Sequence, residues 1–408
     1  MAETSVLIYP WDVAQEGPQA IIDTLAEMGV TRLQIATAYH SAEVITPRRT
    51  SAVVTVAQAN TVHLPLPRKS FSDLSIPMSR IATEYPDLYP QLKAATDKAG
   101  IALSGWAIGF HNTSLASENP DCAIVSCFGD RFTHGLCPSN PRARTFAIEL
   151  FGSISATGLF DRLLAESLSY LLYSHGHAHE LWGARLDPNT RYLLSLCFCE
   201  HCLANGRKRG IDVEGLRKQV ARELTRTWNA DFRSGRVPDD GAEMTSLHFV
   251  WQDLAEYTRM RMETVSTLVQ EVCDQVHRHG VELDLSAAVW GRPAFTNWTE
   301  GVDVAESVRI ADGFVLECYY PTAGEVAREL DHAQAIHSRV GPEAATLTAA
   351  LALWPSFHGT RDDFLSKVRA ISGSGIDRLA LYNYGTATQS TLAWVAEAVA
   401  EMKTGGRP

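Results

Sequence analysis

The chain has 408 residues, of which 45% are hydrophobic and 20% charged, and its formal net charge is −11. This is the composition of a globular protein with a large core, built as one large domain or two. The negative charge argues against a nucleic-acid partner, because phosphate backbones bind basic surfaces. No stretch approaches the roughly 20 apolar residues of a membrane span, and the first residues lack the pattern of a secretion signal. We therefore expect a cytoplasmic protein whose partner is a small molecule.

Eight short apolar runs alternate with segments of helical periodicity. The runs cover residues 5–9, 33–37, 101–108, 160–165, 281–288, 313–318, 345–353 and 378–382. The longest predicted helix covers residues 248–279, and a last helix follows the eighth run. Strands that alternate with helices predict a parallel sheet, and eight such units predict a closed (β/α)8 TIM barrel. We expect residues 1–408 to form this single domain.

Two stretches depart from the alternation. Residues 41–80 are rich in Pro, Ser and Arg and are predicted to form a long loop over one face. Residues 170–243 are predicted to be an insertion after the fourth strand, and they carry clusters of histidine and cysteine. Loops of this length inside a compact domain are usually functional or mobile.

Polar and aromatic residues follow nearly every predicted strand, and active sites of such barrels lie at the carboxyl ends of the strands. The aromatic residues are Trp11, Tyr39, Trp106, Trp290, Tyr319, Tyr320, Trp354 and Tyr384, and the polar ones are His40, His111, Asn112, Arg292 and Asn383. Aromatic rings pack against the C–H faces of sugars, and polar tips reach their hydroxyls. Each aromatic residue alone is more typical of barrel core. Together they favour a ring-shaped, uncharged ligand.

Two of the predicted strands end on a carboxylate, Glu166 on the fourth and Glu317 on the sixth. Burial of even a neutral polar group without a partner costs about 2–7 kcal/mol, so a buried carboxylate at this end of a barrel favours chemistry. Cleavage of a glycosidic bond needs two carboxylates, and this pair is the candidate. The alternative is that each acid pairs with a nearby arginine. Asp284, within the fifth strand, is a reserve candidate that alternates with Glu282.

The histidines of the insertion allow two interpretations. His175, His177, His179 and Glu180 alternate along the chain and could hold a second metal. The spacing is not the H-E-x-x-H pattern of a helical zinc site. We favour a role in which one imidazole orients a carboxylate or a sugar hydroxyl, and we count His175 and His177 among the predicted substrate-binding residues.

Cysteines supply the strongest local pattern. Cys197, Cys199 and Cys202 form a C-x-C-x-x-C motif, which offers three ligands on one turn to a tetrahedral zinc ion. The first choice for the fourth ligand is Cys137, and the substitutes are Cys127, His201 and Cys122. A four-cysteine site has no open coordination position, so this zinc would be structural. The alternative is a set of reduced thiols packed in a loop.

The order of these motifs resembles glycoside hydrolase family 42, the zinc-containing β-galactosidases. It runs from a Cys-Pro-Ser-Asn-Pro segment at residues 137–141 through Glu166 to the C-x-C-x-x-C motif. The resemblance implies a (β/α)8 barrel with one zinc on Cys137, Cys197, Cys199 and Cys202, and with Glu166 as the general acid/base. The seventh strand, where that clan carries its nucleophilic glutamate, has no carboxylate at residues 345–354, so Glu317 is the natural second acid. Other barrel glycosidases use a pair on strands four and six with opposite roles, so the two roles stay interchangeable.

The sequence therefore predicts a glycosidase-like hydrolase that cleaves a small glycoside or an oligosaccharide with a two-carboxylate mechanism. A structural zinc would brace its loops, and a homo-oligomer stays open. One alternative is a metal-dependent barrel lyase or isomerase that uses the histidines of residues 175–179. Another is a non-catalytic sugar-binding barrel. The pattern identifies neither the sugar, the linkage nor the stereochemical course.

Overall fold

The computed structural model describes residues 2–175, 184, 186–229, 240–286 and 293–404. At its centre is a barrel of eight parallel strands, β1 to β8, which are Glu3–Ile8, Arg32–Tyr39, Ala102–Ile108, Arg162–Glu166, Glu282–Ser286, Gly313–Glu317, Thr346–Ala352 and Arg378–Tyr382. Consecutive strands pair with one another, and β1 pairs with both β2 and β8, which closes the ring. The predicted (β/α)8 barrel is confirmed.

Helices surround the barrel and connect its strands. They are Pro10–Glu16, Pro18–Glu27, Arg80–Glu84, Leu88–Ala99, Thr113–Glu118, Pro141–Ser155, Pro188–Ser195, Glu200–Lys208, Val213–Trp228, Asp240–Val250, Gln252–His277, Val304–Ile310, Ala323–Val340, Arg361–Gly373, Gln389–Ala393 and Val395–Thr404. Short 3₁₀ turns cover Arg68–Ser70, Pro120–Cys122, Tyr173–His175, Ala294–Glu300 and Pro355–Phe357. Among the described helices, none is long and apolar enough to cross a lipid bilayer.

The apolar core has two parts, because alternate residues of a strand face opposite sides of the barrel wall. The larger part lies between the barrel and the helices. It includes outward residues such as Leu163 of β4 and Leu283 of β5. The smaller part fills the barrel and its carboxyl-end mouth, and it is rich in aromatic rings, such as those of Tyr9, Trp11 and Trp106.

Charged residues occupy the opposite, amino end of the barrel. Arg162 Nη1 lies 2.9 Å from Glu3 Oε1, and Arg32 Nε lies 3.0 Å from Glu3 Oε2. Asp284, the reserve catalytic candidate, lies in this network, 3.7 Å from Arg162 and 4.0 Å from Arg378. It is therefore remote from the strand ends that carry the two glutamates, because alternation along a strand predicts the face of a residue but not its depth in the barrel.

The predicted loop at residues 41–80 is more regular than expected. Ala42–Ile45 pairs with Val54–Ala57 in an antiparallel hairpin, and Thr61–Val62 adds antiparallel to β2. The local cause is the β-branched run at residues 53–56, which the surrounding Pro, Ser and Arg residues obscure in the sequence. A second hairpin, of Ala123–Val125 with Arg131–Leu136, lies in the loop that carries Cys122 and Cys127.

Two arginines attach the first hairpin to the barrel rim. Arg49 Nη2 lies 2.6 Å from the buried carboxylate of Asp12, which follows β1. The guanidinium of Arg48 lies 4.5 Å from the ring centroid of Tyr384, which follows β8, and donates to the Tyr384 carbonyl. The Tyr384 hydroxyl in turn donates to Glu16 at 2.7 Å. The hairpin thus bridges the seam at which the first and the last strand meet.

Three predicted boundaries differ from the structure. The first strand ends at Ile8, and the residues predicted to end it lie in the helix Pro10–Glu16, because proline suits the first helical position. The predicted helix at residues 248–279 begins at Gln252 and ends at His277, and a separate helix precedes it. The described part of the predicted insertion holds three complete helices, the first of which is Pro188–Ser195, and the start of the helix Asp240–Val250. The single-domain division itself stays a prediction.

Candidate active site

Glu166 is the last residue of β4, and its side chain is partly buried at the barrel mouth. Trp106 of β3 donates a hydrogen bond from Nε1 to Glu166 Oε2 at 2.8 Å. The chain turns sharply at the next residue, because Ser167 has a φ of 60°, which is rare for a residue with a side chain. Its carbonyl still accepts from Phe110, so the turn is held by backbone pairing with the β3 side. These contacts fix the direction of the Glu166 carboxyl.

Glu317 is the last residue of β6 and lies one strand beyond β5 from Glu166. Ser286, the last residue of β5, donates from its hydroxyl to Glu317 Oε1 at 3.0 Å. Ser286 is level with Glu166 on one side and with Val315 on the other. Glu317 therefore lies two residues further out along its strand than Glu166. The two carboxyls share the mouth of the barrel, separated in the wall by a single strand.

Burial raises the pKa of both acids. Burial raises the pKa of Glu166 to about 7, and the hydrogen bond from Trp106 counteracts part of that rise. The pKa of Glu317 rises to about 8, first through burial and then through the negative charge of Glu166, while Ser286 counteracts part of it. Among the described residues, no cation acts on either carboxyl. Near neutral pH the pair therefore tends to retain a proton, mainly on Glu317.

Neutral aromatic side chains form the wall around the two acids. The hydroxyl of Tyr39 lies 3.1 Å from that of Tyr9 and 3.5 Å from that of Tyr382. The ring of Tyr382 packs against Trp106 at 5.8 Å and Trp354 at 5.3 Å between centroids. Burial raises the pKa of Tyr9 and of Tyr39 well above the usual range, so these hydroxyls stay protonated. The wall offers hydroxyl groups and ring faces without net charge.

The structure brings several predicted residues into this wall and turns others away from it. Trp11, Tyr39, Tyr319 and Trp354 belong to the aromatic cluster of the mouth. Tyr320 reaches Glu329 on an outer helix, and Tyr384 faces the rim. Asn112 caps the helix Thr113–Glu118, and Asn383 accepts from Gly385 within its own turn. His177, Trp290 and Arg292 lie outside the described residues.

Three predicted histidines lie in a row beside Tyr39. The ring of His40 stacks on Tyr39 at 4.3 Å and on His111 at 4.2 Å. His111 Nδ1 then lies 3.1 Å from His175 Nε2. The row extends the aromatic wall towards the segment that begins after residue 175.

Sequence reasoning missed three groups that belong to the mouth: Tyr9, Tyr382 and Ser286. Tyr9 and Tyr382 are strand-end aromatic residues like those that were selected, so the same signal applied to them. Ser286 carries no such signal, because its contact with Glu317 and its position level with Glu166 depend on the pairing of β5 with its neighbours. The catalytic role of Glu166 and Glu317 stays a prediction.

The four cysteines predicted to be zinc ligands converge in one buried cluster. Cys137 Sγ lies 3.5 Å from Cys199, 3.5 Å from Cys202 and 3.7 Å from Cys197. A tetrahedral zinc ion with Zn–S bonds of about 2.3 Å requires sulfur–sulfur separations of about 3.8 Å. The donor set and its spacing therefore fit zinc. Cys122, one of the substitutes, lies outside this tetrad and beside Asp121.

Tyr170 connects the cysteine tetrad with the β4 end of the active-site mouth. It follows Glu166 by four residues, and its hydroxyl lies 2.7 Å from Ser139 Oγ and 3.6 Å from Cys202 Sγ. Its backbone N–H donates to the carbonyl of Glu300 at 2.9 Å. A metal in the tetrad would thus fix the loop that leaves Glu166.

A second group of metal-ligating residues lies at the amino end of the barrel. It consists of Cys273, His277 and Asp312. His277 Nε2 lies 2.7 Å from Asp312 Oδ2, which also accepts from the backbone of Leu283 at the same distance. The cysteine lies beside the Ile310 carbonyl at 3.4 Å. These contacts give an ordinary helix-to-strand attachment.

No family model and no curated protein sequence matches the chain. Its structure is similar to that of the PgaB (BpsB) glycoside hydrolase domain from Bordetella bronchiseptica, with a TM-score of 0.60 and 11% identity over 98% of each chain. It is also similar to the catalytic domain of a β-amylase from Paenibacillus polymyxa, with a TM-score of 0.56 and 13% identity over 100% of this chain and 99% of that one. It is similar as well to a β-galactosidase from the psychrophilic Marinomonas ef1, with a TM-score of 0.57 and 9% identity over 98% of this chain and 59% of that one. At these identities the shared property is the barrel fold.

Proposed function

We propose that the protein is a glycoside hydrolase that cleaves a small glycoside or an oligosaccharide, with Glu166 and Glu317 as its two carboxylates. One observation carries the proposal: both acids lie at the carboxyl end of the barrel, and among the described residues no cation neutralises either of them. A structural carboxylate in such a place would be paired, because an unpaired buried charge costs several kcal/mol. Glycoside cleavage needs one protonated acid and one carboxylate, and two interacting acids that share a proton near neutral pH meet that requirement.

The surroundings distinguish the two acids. We assign Glu317 the role of acid, because burial first and then the negative charge of Glu166 raise its pKa, so it can hold the shared proton near neutral pH. Glu166 is then the nucleophile or base, and the hydrogen bond from Trp106 favours its ionised form, as the bond from Ser286 does for Glu317. This assignment is opposite to the one that the resemblance to family 42 implies for Glu166. It rests on the effect of the Glu166 charge on the pKa of Glu317.

The wall of the mouth supports a carbohydrate as the ligand. Rings such as Trp106 and Tyr382 offer apolar faces, and the hydroxyls of Tyr9 and Tyr39 offer neutral hydrogen-bonding groups. Such a surface suits the two sides of a sugar ring better than it suits an anion. The similar structures named above are a glycoside hydrolase domain, a β-amylase and a β-galactosidase, which is consistent with this substrate class.

Zinc in the cysteine tetrad would have a structural role. Four thiolates complete its coordination, so the ion would supply a fixed cross-link between the Cys137 loop and the 197–202 segment. Through Tyr170 this cross-link would position the loop after Glu166. The reaction itself would depend on the carboxylates.

The test compares Glu166→Gln and Glu317→Gln with the unmodified protein on 2,4-dinitrophenyl and 4-nitrophenyl glycosides of several sugars. Each variant should lose about 10²–10⁴-fold in kcat/KM on the 4-nitrophenyl substrates. Glu317→Gln should keep more activity on the dinitrophenyl glycosides, because that leaving group needs no proton. Glu282→Gln, on a half-exposed carboxylate at the amino end, is the matched control and should keep activity.

Near-unmodified turnover by either variant removes that acid from the mechanism. Greater retention by Glu166→Gln on the dinitrophenyl glycosides reverses the two roles. Sugar binding without turnover, unaffected by either substitution, favours the non-catalytic sugar-binding barrel.

A metal-dependent lyase or isomerase is the second candidate, and the row of His40, His111 and His175 is the observation that favours it. It predicts that a chelator abolishes activity and that an exchangeable metal restores it while the cysteine-bound metal stays in place. In the hydrolase, removal of exchangeable metal leaves turnover unchanged. The two results separate the candidates.

A further inference from the structure

Arg261, on the helix Gln252–His277, is a fully buried arginine with an exposed fraction of 0%. None of its three side-chain nitrogens makes a hydrogen bond of good geometry within the described part of the chain, and the Tyr192 hydroxyl is the neutral group that interacts with the guanidinium there. A buried guanidinium of this kind is costly, because arginine stays charged inside proteins and a charge out of water needs a counter-charge. The side chain therefore requires an anion that the protein atoms described so far do not supply.

The neighbours of Arg261 indicate where this anion lies. The guanidinium carbon lies 4.5 Å from the ring centroid of Tyr170 and 5.9 Å from that of Tyr192. The hydroxyl of the same Tyr170 lies 3.6 Å from Cys202 Sγ. One tyrosine ring thus separates the buried cation from the cysteine tetrad. The helix of Arg261 also contacts the tetrad directly, because Tyr257 donates from its hydroxyl to the carbonyl of Cys197.

The charge of a metal-loaded tetrad matches this requirement. Cysteine binds a metal as the thiolate, so four ligands bring four negative charges and a divalent ion returns two positive ones. The resulting centre carries two net negative charges in a buried environment. Arg261 is a buried cation without a carboxylate partner among the described residues, and it lies behind the face of Tyr170.

We propose that Arg261 is the counter-cation of a divalent metal–tetrathiolate centre and holds the metal through Tyr170. The proposal rests on metal binding by the four cysteines and is independent of hydrolysis by Glu166 and Glu317. Arg261 is a positioning residue in this account, because it acts on the metal through the charge and through the tyrosine ring. Metal loading and burial of the arginine would stabilise each other.

The main experiment measures zinc release from Arg261→Met to a chromogenic chelator. Loss of a residue that supports a metal site from outside its ligands typically lowers metal affinity by about 10–100-fold, so release should become at least about tenfold faster. Arg259→Met, two residues earlier on the exposed side of the same helix, is the matched control and should release zinc at the unmodified rate within about twofold. Arg261→Lys keeps the charge and should recover part of the retention.

The melting temperature provides a readout that a packing role does not reproduce. The zinc-loaded Arg261→Met variant should melt below the unmodified protein, because the centre has lost its counter-charge. After zinc removal under reducing conditions the order should reverse, because the unmodified protein then buries an unpaired cation. A cobalt-substituted sample shows by its thiolate charge-transfer bands whether the tetrad is the metal site in each variant.

If Arg261→Met releases zinc within about twofold of the unmodified rate, the proposal is overturned. If Arg261→Met loses the same stability in its zinc-loaded and zinc-free forms, the arginine contributes packing alone and the proposal is also overturned. Absence of divalent-metal binding by the unmodified protein has the same consequence. If Arg261→Met does not accumulate, Arg261→Gln and Arg261→Lys replace it, and equal zinc retention by these two variants has the same consequence. Loss of hydrolysis in the glutamate variants is a separate result and leaves these outcomes unaffected.

Discussion

Both ends of the barrel bury carboxylates, but they treat the charge in opposite ways. At the amino end Asp284 lies within 4.0 Å of Arg162 and of Arg378, and Glu3 lies between two arginines. At the carboxyl end Glu166 and Glu317 face aromatic rings, and each accepts one hydrogen bond from a neutral donor. Acidic side chains are paired with cations at one end, and at the other end burial without a described cation raises their pKa values.

The comparison separates acids that join the strands from acids that no described cation neutralises. Burial raises the pKa of Asp284 to about 6, even though Arg162 and Arg378 counteract the rise, and this acid completes a network that joins the strands. Gly313 makes room for it, because a Cβ there would lie 2.0 Å from Asp284 Oδ1. At the mouth no described cation compensates the acids and each receives a single neutral hydrogen bond, so their burial costs the folded state free energy.

The largest effect on stability is expected at the amino end. Arg162→Met should lower the free energy of unfolding by about 3–5 kcal/mol, because it leaves Glu3 and Asp284 buried with fewer cations. Chemical denaturation at pH 7 measures the change. Arg226→Met, in an exposed pair with Glu223, is the control and should stay within about 0.5 kcal/mol of the unmodified protein. A loss below about 1 kcal/mol for Arg162→Met would show that the two ends do not differ.

At the mouth, substitution of an acid is expected to raise the free energy of unfolding instead of lowering it. The pKa of Glu317 is raised from 4.5 to about 8, so folding opposes its ionisation, and the protein loses stability as the pH rises through this range. Glu317→Gln should therefore match the unmodified protein near pH 4 and exceed its stability by up to about 5 kcal/mol at pH 9, since one pKa unit is worth about 1.4 kcal/mol. Unfolding curves at several pH values test this. Glu214→Gln, at an exposed acid whose pKa is lowered, should show no gain, and a pH-independent effect of Glu317→Gln would contradict the assignment.

The smallest effect concerns the difference between the two acids. The Trp106 hydrogen bond lowers the pKa of Glu166, so Trp106→Phe should raise this pKa. If Glu166 acts as the carboxylate, the acidic limb of the kcat/KM profile should move upwards by about 0.5–1 pH unit. The basic limb, which belongs to Glu317 in this assignment, should move less. A shift of the basic limb alone would exchange the two roles.

The barrel was predictable because each of its strands is a short apolar run between turn residues, and the structure repeats that order. Glu166 and Glu317 could be selected for the same reason, since each ends such a run. Asp284, the reserve candidate, lies in an arginine network rather than at the mouth, because a period of two gives only the face of a strand. Its distance from the mouth depends on the register of β5 against β4 and β6.

The remaining parts of the site depend on contacts that are distant in the chain. The position of Ser286 depends on the pairing of β5 with β4 and β6. The position of Arg261 depends on the packing of its helix behind Tyr170. The hairpin at residues 42–57 was missed because its few valines stand among Pro, Ser and Arg. Local patterns select the candidate residues, and tertiary packing decides which of them meet.

The arginines of that hairpin have a consequence for the order in which the protein folds. Closure of the ring joins residues as far apart as Ser5 and Leu379, a separation of 374 positions, and contacts this distant form slowly. The hairpin is local in sequence and can form early. Its Arg49 binds Asp12 after the first strand, and its Arg48 binds the Tyr384 carbonyl after the last strand. The hairpin can therefore bind the last strand before the barrel closes. Loss of these two arginines should therefore slow refolding more than it accelerates unfolding.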